Sequence, residues 1–240
     1  MCRFKSGIIL KNKVVVAPGE NDSHSDLLES LGINDDYFGA TNVFVRAELV
    51  PVNNEWWIDP AEEPDKWRFV VDQDMRPEWF DESEHEKIFR EAVCVWWKEH
   101  VLVDQKLEKL SSGYYRLKRC EVKKLLNDVK VLLDSSRVGE MRGISRVGEM
   151  RGISRVGEMR GSSQVGEMWD SSQVVKMLDS SRVGEMRGSS QVVKMLDSSQ
   201  VVKMWGRSTA RDFKNWPNVK IWVSPEGTFE MVAHQNKSEE

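Results

Sequence analysis

Three groups of residues hold side chains that could do chemistry. Cys2 is the first. Removal of Met1 would put a free α-amine beside its thiol, the pair used by N-terminal-nucleophile amidohydrolases, in which the amine is the base. His24, in NDSHSD, is placed to assist. The second group is acidic and aromatic: Trp56, Trp57, Trp67, Asp72, Asp74 and Trp79, with Phe80. Paired carboxylates hold a metal or exchange protons, and tryptophan faces stack a base or a ring-shaped ligand. The third group is basic: Arg116, Lys118 and Arg119, followed by Lys123 and Lys124, suited to an anionic partner. Each group also has a plainer reading: a passive N-terminal thiol, tryptophans that make the core of a small domain, and a solvated cationic face.

Other chemistry is disfavoured. Cys2, Cys94 and Cys120 are widely spaced, with no Cys-x-x-Cys pair, and His24, His85, His100 and His234 form no ligand-spaced cluster. No metal site, disulfide framework or cofactor is expected. The apolar patch Gly7–Leu10 is too short for a signal-peptide core, and there is no apolar run of about 18 residues, so a cytoplasmic protein away from the membrane is expected. Net charge is −4 and uneven. Residues 1–110 carry 13 Lys/Arg against 23 Asp/Glu, and residues 111–206 carry 17 against 11. Such a division favours head-to-tail association or an anionic partner.

The elements that must position these residues divide into a head, a junction, a repeat and an end. In the head (1–110), Phe4–Leu10 and Val14–Ala17 predict a β-hairpin. Ser25–Leu31 predicts a short helix capped by Ser23 or Ser25 and stopped at Gly32. Residues 42–50 alternate, with Val43, Val45, Ala47 and Leu49 on one face and Phe44, Arg46 and Glu48 on the other. Trp67–Val71 predicts another strand. Residues 83–100 predict a helix with Ile88, Phe89, Ala92, Val93, Val95 and Trp96 as its apolar face. The sum is a small α+β domain in the order ββαββα.

The junction (111–135) shows the pairs Leu117/Cys120 and Val129/Leu132, spaced like the repeat that follows, and is expected to cap it. The repeat (136–206) has valine at 138, 147, 156, 165, 174, 183, 192 and 201, with methionine three residues after each. A Gly or Asp and a Ser recur in every unit, which argues against helix. An invariant Val and Met argue against disorder. The remaining structure is a β-solenoid in which Ser-x-Val-x is a strand and Gly/Asp-Ser a turn. Two units, about 18 residues, make one coil, so Val138 should stack on Val156. Glutamate travels with two arginines and lysine without them, which is local charge compensation along a ladder. The repeat lacks the Gly-Gly-x-Gly-x-Asp pattern of calcium-binding nonapeptides, and its net charge of +3 excludes DNA mimicry. In the end segment (207–240), Ala210 and Phe213 continue the Val and Met positions, and VKIWV-SPEGT-FEMVA predicts a hairpin cap. The expected fold is therefore mainly β: a nonapeptide β-solenoid with a small N-terminal α+β domain and a C-terminal β-hairpin cap.

FKSGIILKNKVVV, NDSHSDLLESLGI, FVRAELVP, VDQDMRPEWF and SSGYYRLKRCEVKKLL, followed by nonapeptides, resemble a group of uncharacterised proteins of gut-bacterial phages and prophages. The resemblance implies a small head on a solenoid of variable length, and an accessory viral protein made in a bacterial cytoplasm. It implies no catalytic residue. Three functions are expected, in this order. The first is a non-catalytic binding or scaffold protein that engages a protein partner or a second copy of itself, without direct DNA binding. The second is a small-ligand or nucleotide binder that counteracts host defence, and the third is the Cys2 amidohydrolase.

Overall fold

A computed structural model describes residues 4–19, 22–35, 43–212, 222–223 and 230–231. The chain forms two compact units, Met1–Val101 and Leu102–Glu240. The division falls at Val101, ahead of the boundary expected at residue 110.

The first unit runs β1 (Lys5–Leu10), β2 (Lys13–Val16), α1 (His24–Ser30), β3 (Phe44–Pro51), β4 (Trp67–Val71) and α2 (Glu82–His100). Its sheet has the order β2-β1-β3-β4, antiparallel throughout. α1 starts where the Ser23 hydroxyl accepts from the Asp26 amide at 3.2 Å, and α2 where the Asp81 carboxylate accepts from the Glu84 amide at 2.8 Å. The helices cover opposite faces of the sheet. Leu27 and Leu28 of α1 pack with Ile8 and Phe44, while Gly7, next along β1, faces the Phe89 ring of α2. A Cβ at Gly7 would lie 2.7 Å from both that ring and the Val15 carbonyl oxygen, so glycine is needed for the close approach.

Two faces differ from the sequence expectation. α2 buries His85, Phe89, Val93, Trp96 and Trp97, whereas Ile88 and Val95 are exposed. The buried stripe follows i, i+4, i+8 from His85, so the stripe is rotated away from Ile88. Val43 precedes β3 and is exposed, and in β3 Glu48 is buried because α1 closes the face that carries Phe44, Arg46 and Glu48.

The second unit is the solenoid. Its strands are β5 (Val101–Val103), β6 (Lys106–Leu110), β7 (Tyr114–Lys118), β8 (Glu121–Leu125), β9 (Lys130–Asp134), β10 (Arg137–Met141), β11 (Arg146–Arg151) and β12 (Arg155–Met159). They continue as β13 (Gln164–Met168), β14 (Gln173–Met177), β15 (Arg182–Met186), β16 (Gln191–Met195), β17 (Gln200–Met204), β18 (Thr209–Asp212), β19 (Trp222–Val223) and β20 (Glu230–Met231). Odd strands form one eight-stranded parallel sheet and even strands the other. Val138 pairs with Val156 and Met141 with Met159, 18 residues on, as expected from two units per coil. All eight Val and all eight Met of the repeat are buried in one continuous core.

The strand differs in one detail from Ser-x-Val-x. Each strand of the repeat starts at the residue after serine and reaches methionine, β11 continuing to Arg151, and both Val138 and Met141 point inward from β10. Two inward residues three apart break the two-residue alternation of a strand. The paired positions are 137, 138, 140 and 141, so the break falls at Gly139.

The eighth position of each unit shows why it is Gly or Asp. Gly143, Gly152, Gly161, Gly188 and Gly206 have φ between 64° and 67°, and Asp170, Asp179 and Asp197 have φ between 54° and 56°. This left-handed region is open to glycine and tolerated by aspartate. The aspartates also cap the coil below: Asp170 Oδ2 accepts from the Gly152 amide at 2.9 Å, and Asp179 Oδ2 from the Gly161 amide at 2.8 Å.

The charge compensation is visible as contacts. Arg142 pairs with Glu140 at 2.6 Å, Arg160 pairs with Glu158 and reaches Glu140 at 3.6 Å, and Lys176 reaches Glu158 at 3.1 Å. The hydrogen bond from Arg160, together with Lys176 and against partial burial, holds the Glu158 carboxyl below its ordinary value. On the other sheet Arg151, Trp169, Arg187 and Trp205 alternate at 18-residue intervals. There the Arg187 guanidinium lies 4.6 Å from the Trp169 ring centroid.

Serines 136, 145, 154, 163, 172, 181, 190, 199 and 208 all face the core. Ser136 Oγ bonds the Leu117 and Asp134 carbonyls and accepts from the Cys120 amide, each at 3.0 Å. The hydroxyls of Ser163 and Ser181 have no hydrogen-bond partner among the described residues. A buried hydroxyl without a partner is worth about 1–3 kcal/mol of desolvation. Ser181→Ala is therefore expected to raise the urea midpoint by the equivalent of about 1 kcal/mol, and Ser136→Ala to lower it by a similar amount. Equal shifts in the two variants would contradict this reading.

The ends depart from the expectation. The solenoid begins at β5 and β6, not within a capping junction, and its first coils are shorter: Arg137 pairs with Glu121, 16 positions back. The inward pairs are Val122/Leu125 and Val131/Leu133. Leu117 is buried in β7, whereas Cys120 and Val129 occupy the serine position, their carbonyls accepting from the Arg137 and Arg146 amides. At the far end Ala210 takes the Val position opposite Val192, and Phe213 lies outside the described residues. Among the described residues, the two short strands of the expected hairpin pair with the solenoid rather than with each other. Trp222–Val223 pairs in parallel with β17, and Glu230–Met231 with β18, in opposite sheets. Each pairing adds a short strand to a sheet edge that would otherwise end at the last coil.

Candidate functional site

His24 opens α1 on the sheet face that carries Arg46 and Glu48 of β3. Its Nε2 lies 3.0 Å from the Ala47 carbonyl oxygen. A carbonyl only accepts, so Nε2 carries the ring proton and Nδ1 is the other ring nitrogen's lone-pair site in the neutral imidazole. Nδ1 lies 3.5 Å from Asp72 Oδ2. Asp72 follows β4, and its amide donates to the Arg46 carbonyl at 2.9 Å. The next residue, Gln73, accepts from the Arg46 amide at 2.9 Å, so the loop after β4 is tied to β3 on both sides of Arg46.

These residues line an open cleft of about 650 Å³ with Asp22, Ser23, Ser25, Asp35, Arg46 and Asp72 around His24. Arg46 pairs with Asp35, and Lys5 pairs with Asp22 at 2.6 Å. Lys5 is fully buried, with its ammonium 4.1 Å from the centroid of Trp96. Beneath the cleft the Glu48 carboxylate is buried, and the candidate ligand atoms of His24, Glu48 and Asp72 lie within 4.8 Å of one another. The cleft is polar, charged and open, which suits a small hydrated ligand or ion better than an apolar ring.

The structure thus joins one residue from each of two groups the sequence kept apart, His24 and Asp72. Cys2 lies outside the described residues. Asp74 is exposed on the loop after β4. The tryptophans do not line the cleft. Trp67 is buried, donates from Nε1 to the Ile58 carbonyl at 3.1 Å and meets Phe4 edge to face at 5.1 Å. Trp56 and Trp57 sit edge to face at 5.8 Å, and the Trp56 carbonyl accepts from Trp97 Nε1. Trp79 packs with Phe80 and His85. Among these aromatic residues the structural role dominates.

The basic group belongs to the second unit and is engaged there. Arg119 holds Asp104 through two bonds of 2.7 and 2.6 Å, and that hydrogen bonding keeps the Asp104 carboxyl below its usual value. Lys118 pairs with Asp134 at 2.7 Å, and Arg116 Nε donates to the Tyr114 hydroxyl at 3.0 Å. Cys94 and Cys120 are free thiols, and burial pushes the pKa of each up, away from the reactive thiolate.

Asp22, Asp35, Arg46 and Glu48 were not singled out by the sequence. One signal was present: Arg46 and Glu48 are two apart in an alternating strand and share a face with Phe44. A face that holds both an aromatic residue and opposite charges is a covered face with an ionic site. No helix among the described residues is long and apolar enough to cross a membrane. The fold defines a β-solenoid protein with a small α+β head. Comparison with family models, curated proteins and solved structures finds no match.

Proposed function

We propose that the protein is a non-catalytic binding protein, an accessory protein of a bacterial virus acting in the host cytoplasm. In this reading the solenoid is a rigid rod of adjustable length that engages a protein partner or a second copy. The observation that carries it is the equivalence of the rungs. Arg-Val-Gly-Glu-Met of β12 and Gln-Val-Val-Lys-Met of β14 pair Val on Val and Met on Met although their outer residues differ. A core that is constant while the surface changes from coil to coil is what a display or docking rod needs. Catalysis, by contrast, needs a fixed constellation.

Deletion of residues 155–172, one whole coil, tests this. It joins Ser154 to Gln173, which follows the same serine position as Arg155. The variant is expected to fold, to shorten the solenoid by about 4.8 Å, and to weaken association with its partner or its own copies. Sedimentation and small-angle scattering read the length and the assembly. Unchanged assembly with the shortened rod would overturn the reading.

A second reading is sequestration of a small ligand, such as a signalling nucleotide, by the head, whose polar cleft around His24 offers the space. Native mass spectrometry of the protein from infected cells distinguishes it, since this reading requires a retained ligand and the first does not.

A further inference from the structure

We propose that His24, Glu48 and Asp72 form a site for one first-row divalent transition cation, with Zn2+ as the representative ion. The three residues come from different elements, the start of α1, the middle of β3 and the loop after β4, and their ligand atoms converge within 4.8 Å. A ligand set of one imidazole nitrogen and two carboxylate oxygens suits Zn2+, Mn2+ or Fe2+, whereas Ca2+ and Mg2+ favour oxygen alone.

The orientation of His24 matches a metal ligand. Its Nε2–H donates to a backbone carbonyl at 3.0 Å, which fixes the tautomer and directs the Nδ1 lone pair toward Asp72. Metal-bound histidines are held by this kind of outer hydrogen bond. In the neutral ring, a lone pair and a carboxylate oxygen then face each other at 3.5 Å, an arrangement that a positive charge between them relieves. Bonds of about 2.1 Å to a tetrahedral zinc place neighbouring ligand atoms about 3.4 Å apart; His24 Nδ1 and Asp72 Oδ2 are 3.5 Å apart, and all three ligand atoms lie within 4.8 Å of one another.

An independent observation lies across the sheet. Ser6 of β1 is opposite Glu48 in register, on the same face. It is fully buried, and its hydroxyl has no hydrogen-bond partner among the described residues. A hydroxyl beside a ligating carboxylate is an outer-shell donor that settles when the carboxylate turns onto the metal. Three protein ligands leave coordination positions on the cleft side, where Asp72 is about half exposed.

Calorimetric titration of the metal-stripped full chain with ZnCl2, repeated with MnCl2, tests the site. One equivalent of Zn2+ is expected, accompanied by a rise in the melting temperature of the head. Asp72→Asn is the decisive variant because the residue is exposed and its loss leaves the fold intact, as circular dichroism will check. It should weaken binding at least tenfold. His24→Gln should do the same, while the Cys94→Ser, Cys120→Ser double variant should bind as the parent does. Undiminished binding in Asp72→Asn, loss of binding in the cysteine variant, or no uptake of either ion by the parent chain would each overturn the assignment.

Discussion

Val156→Asp is expected to unfold the middle of the solenoid, at a cost of about 5 kcal/mol or more. Val156 is fully buried, on β12, with Val138 of β10 on one side and Val174 of β14 on the other. An aspartate there sits among apolar Val and Met side chains, with only buried serine hydroxyls and the backbone of adjacent coils as polar groups. Its carboxylate has no cation within the core to pair with, because every Val and Met position of the repeat is apolar. A buried charge without a partner either stays ionised at great cost or takes up a proton and still lacks hydrogen bonds. A stack of repeats also couples each coil to its neighbours, so a lesion in a central rung removes two interfaces together. Urea denaturation followed by far-ultraviolet circular dichroism reads the loss. Arg155→Asp, one residue away and exposed, is the control, and should shift stability by no more than about 0.5 kcal/mol. Similar curves for the two variants would show that the Val column is not the core.

Gly161→Val is expected to destabilise by about 2–3 kcal/mol while Gly161→Asp is tolerated. Gly161 has φ +67°, and a Cβ there would lie 3.2 Å from the Gly143 carbonyl oxygen and 3.4 Å from its nitrogen. A β-branched residue is strained in this region of backbone space, and valine adds two methyl groups against the turn of the coil below. Aspartate is adapted to the same place. Asp179, one coil on, holds φ +54° and accepts from the Gly161 amide. An aspartate at 161 would reach the Gly143 amide in the same way, offsetting its backbone cost with a hydrogen bond. Thermal melts of the two variants should therefore diverge, with the aspartate variant at or above the parent. A common loss in both would mean that the turn depends on glycine itself rather than on the sign of φ.

The two variants probe what was plainest in the amino-acid sequence. A period of nine, with Val and Met three apart and Gly or Asp at the eighth place, identified the solenoid, its core and its 18-residue coil. The charge pattern anticipated the Arg160–Glu140 and Lys176–Glu158 contacts between coils. In the head, the cap at Ser23 and the alternation in β3 were readable because they are local. The face of α2 was misjudged at Ile88 and Val95, since an amphipathic pattern with apolar residues on several sides leaves open which side meets the sheet.

The cleft was less accessible. His24, Glu48 and Asp72 are separated by more than twenty residues at each step, and none of the pairs has a spacing that marks a metal or catalytic motif. Only the β1–β3–β4 ladder and the docking of α1 bring them together. The same limit hid the fate of the C-terminal strands. VKIWV and FEMVA carry a hairpin signal between them, but the last coil offers two open edges, and Trp222–Val223 pairs with one while Glu230–Met231 pairs with the other.

By itself the sequence determined whatever repeats or acts within a few residues: the strand-and-turn unit, the inward Val, Met and Ser, the Gly or Asp at the turn, and the cap of the first helix. Tertiary structure alone decided where the ladders begin and end, which face of each head element is covered, and that a histidine and two carboxylates share one place. The physical reason is the range of the forces involved. Periodicity and backbone sterics are written in neighbouring residues, whereas burial and convergent charge depend on which distant segments meet.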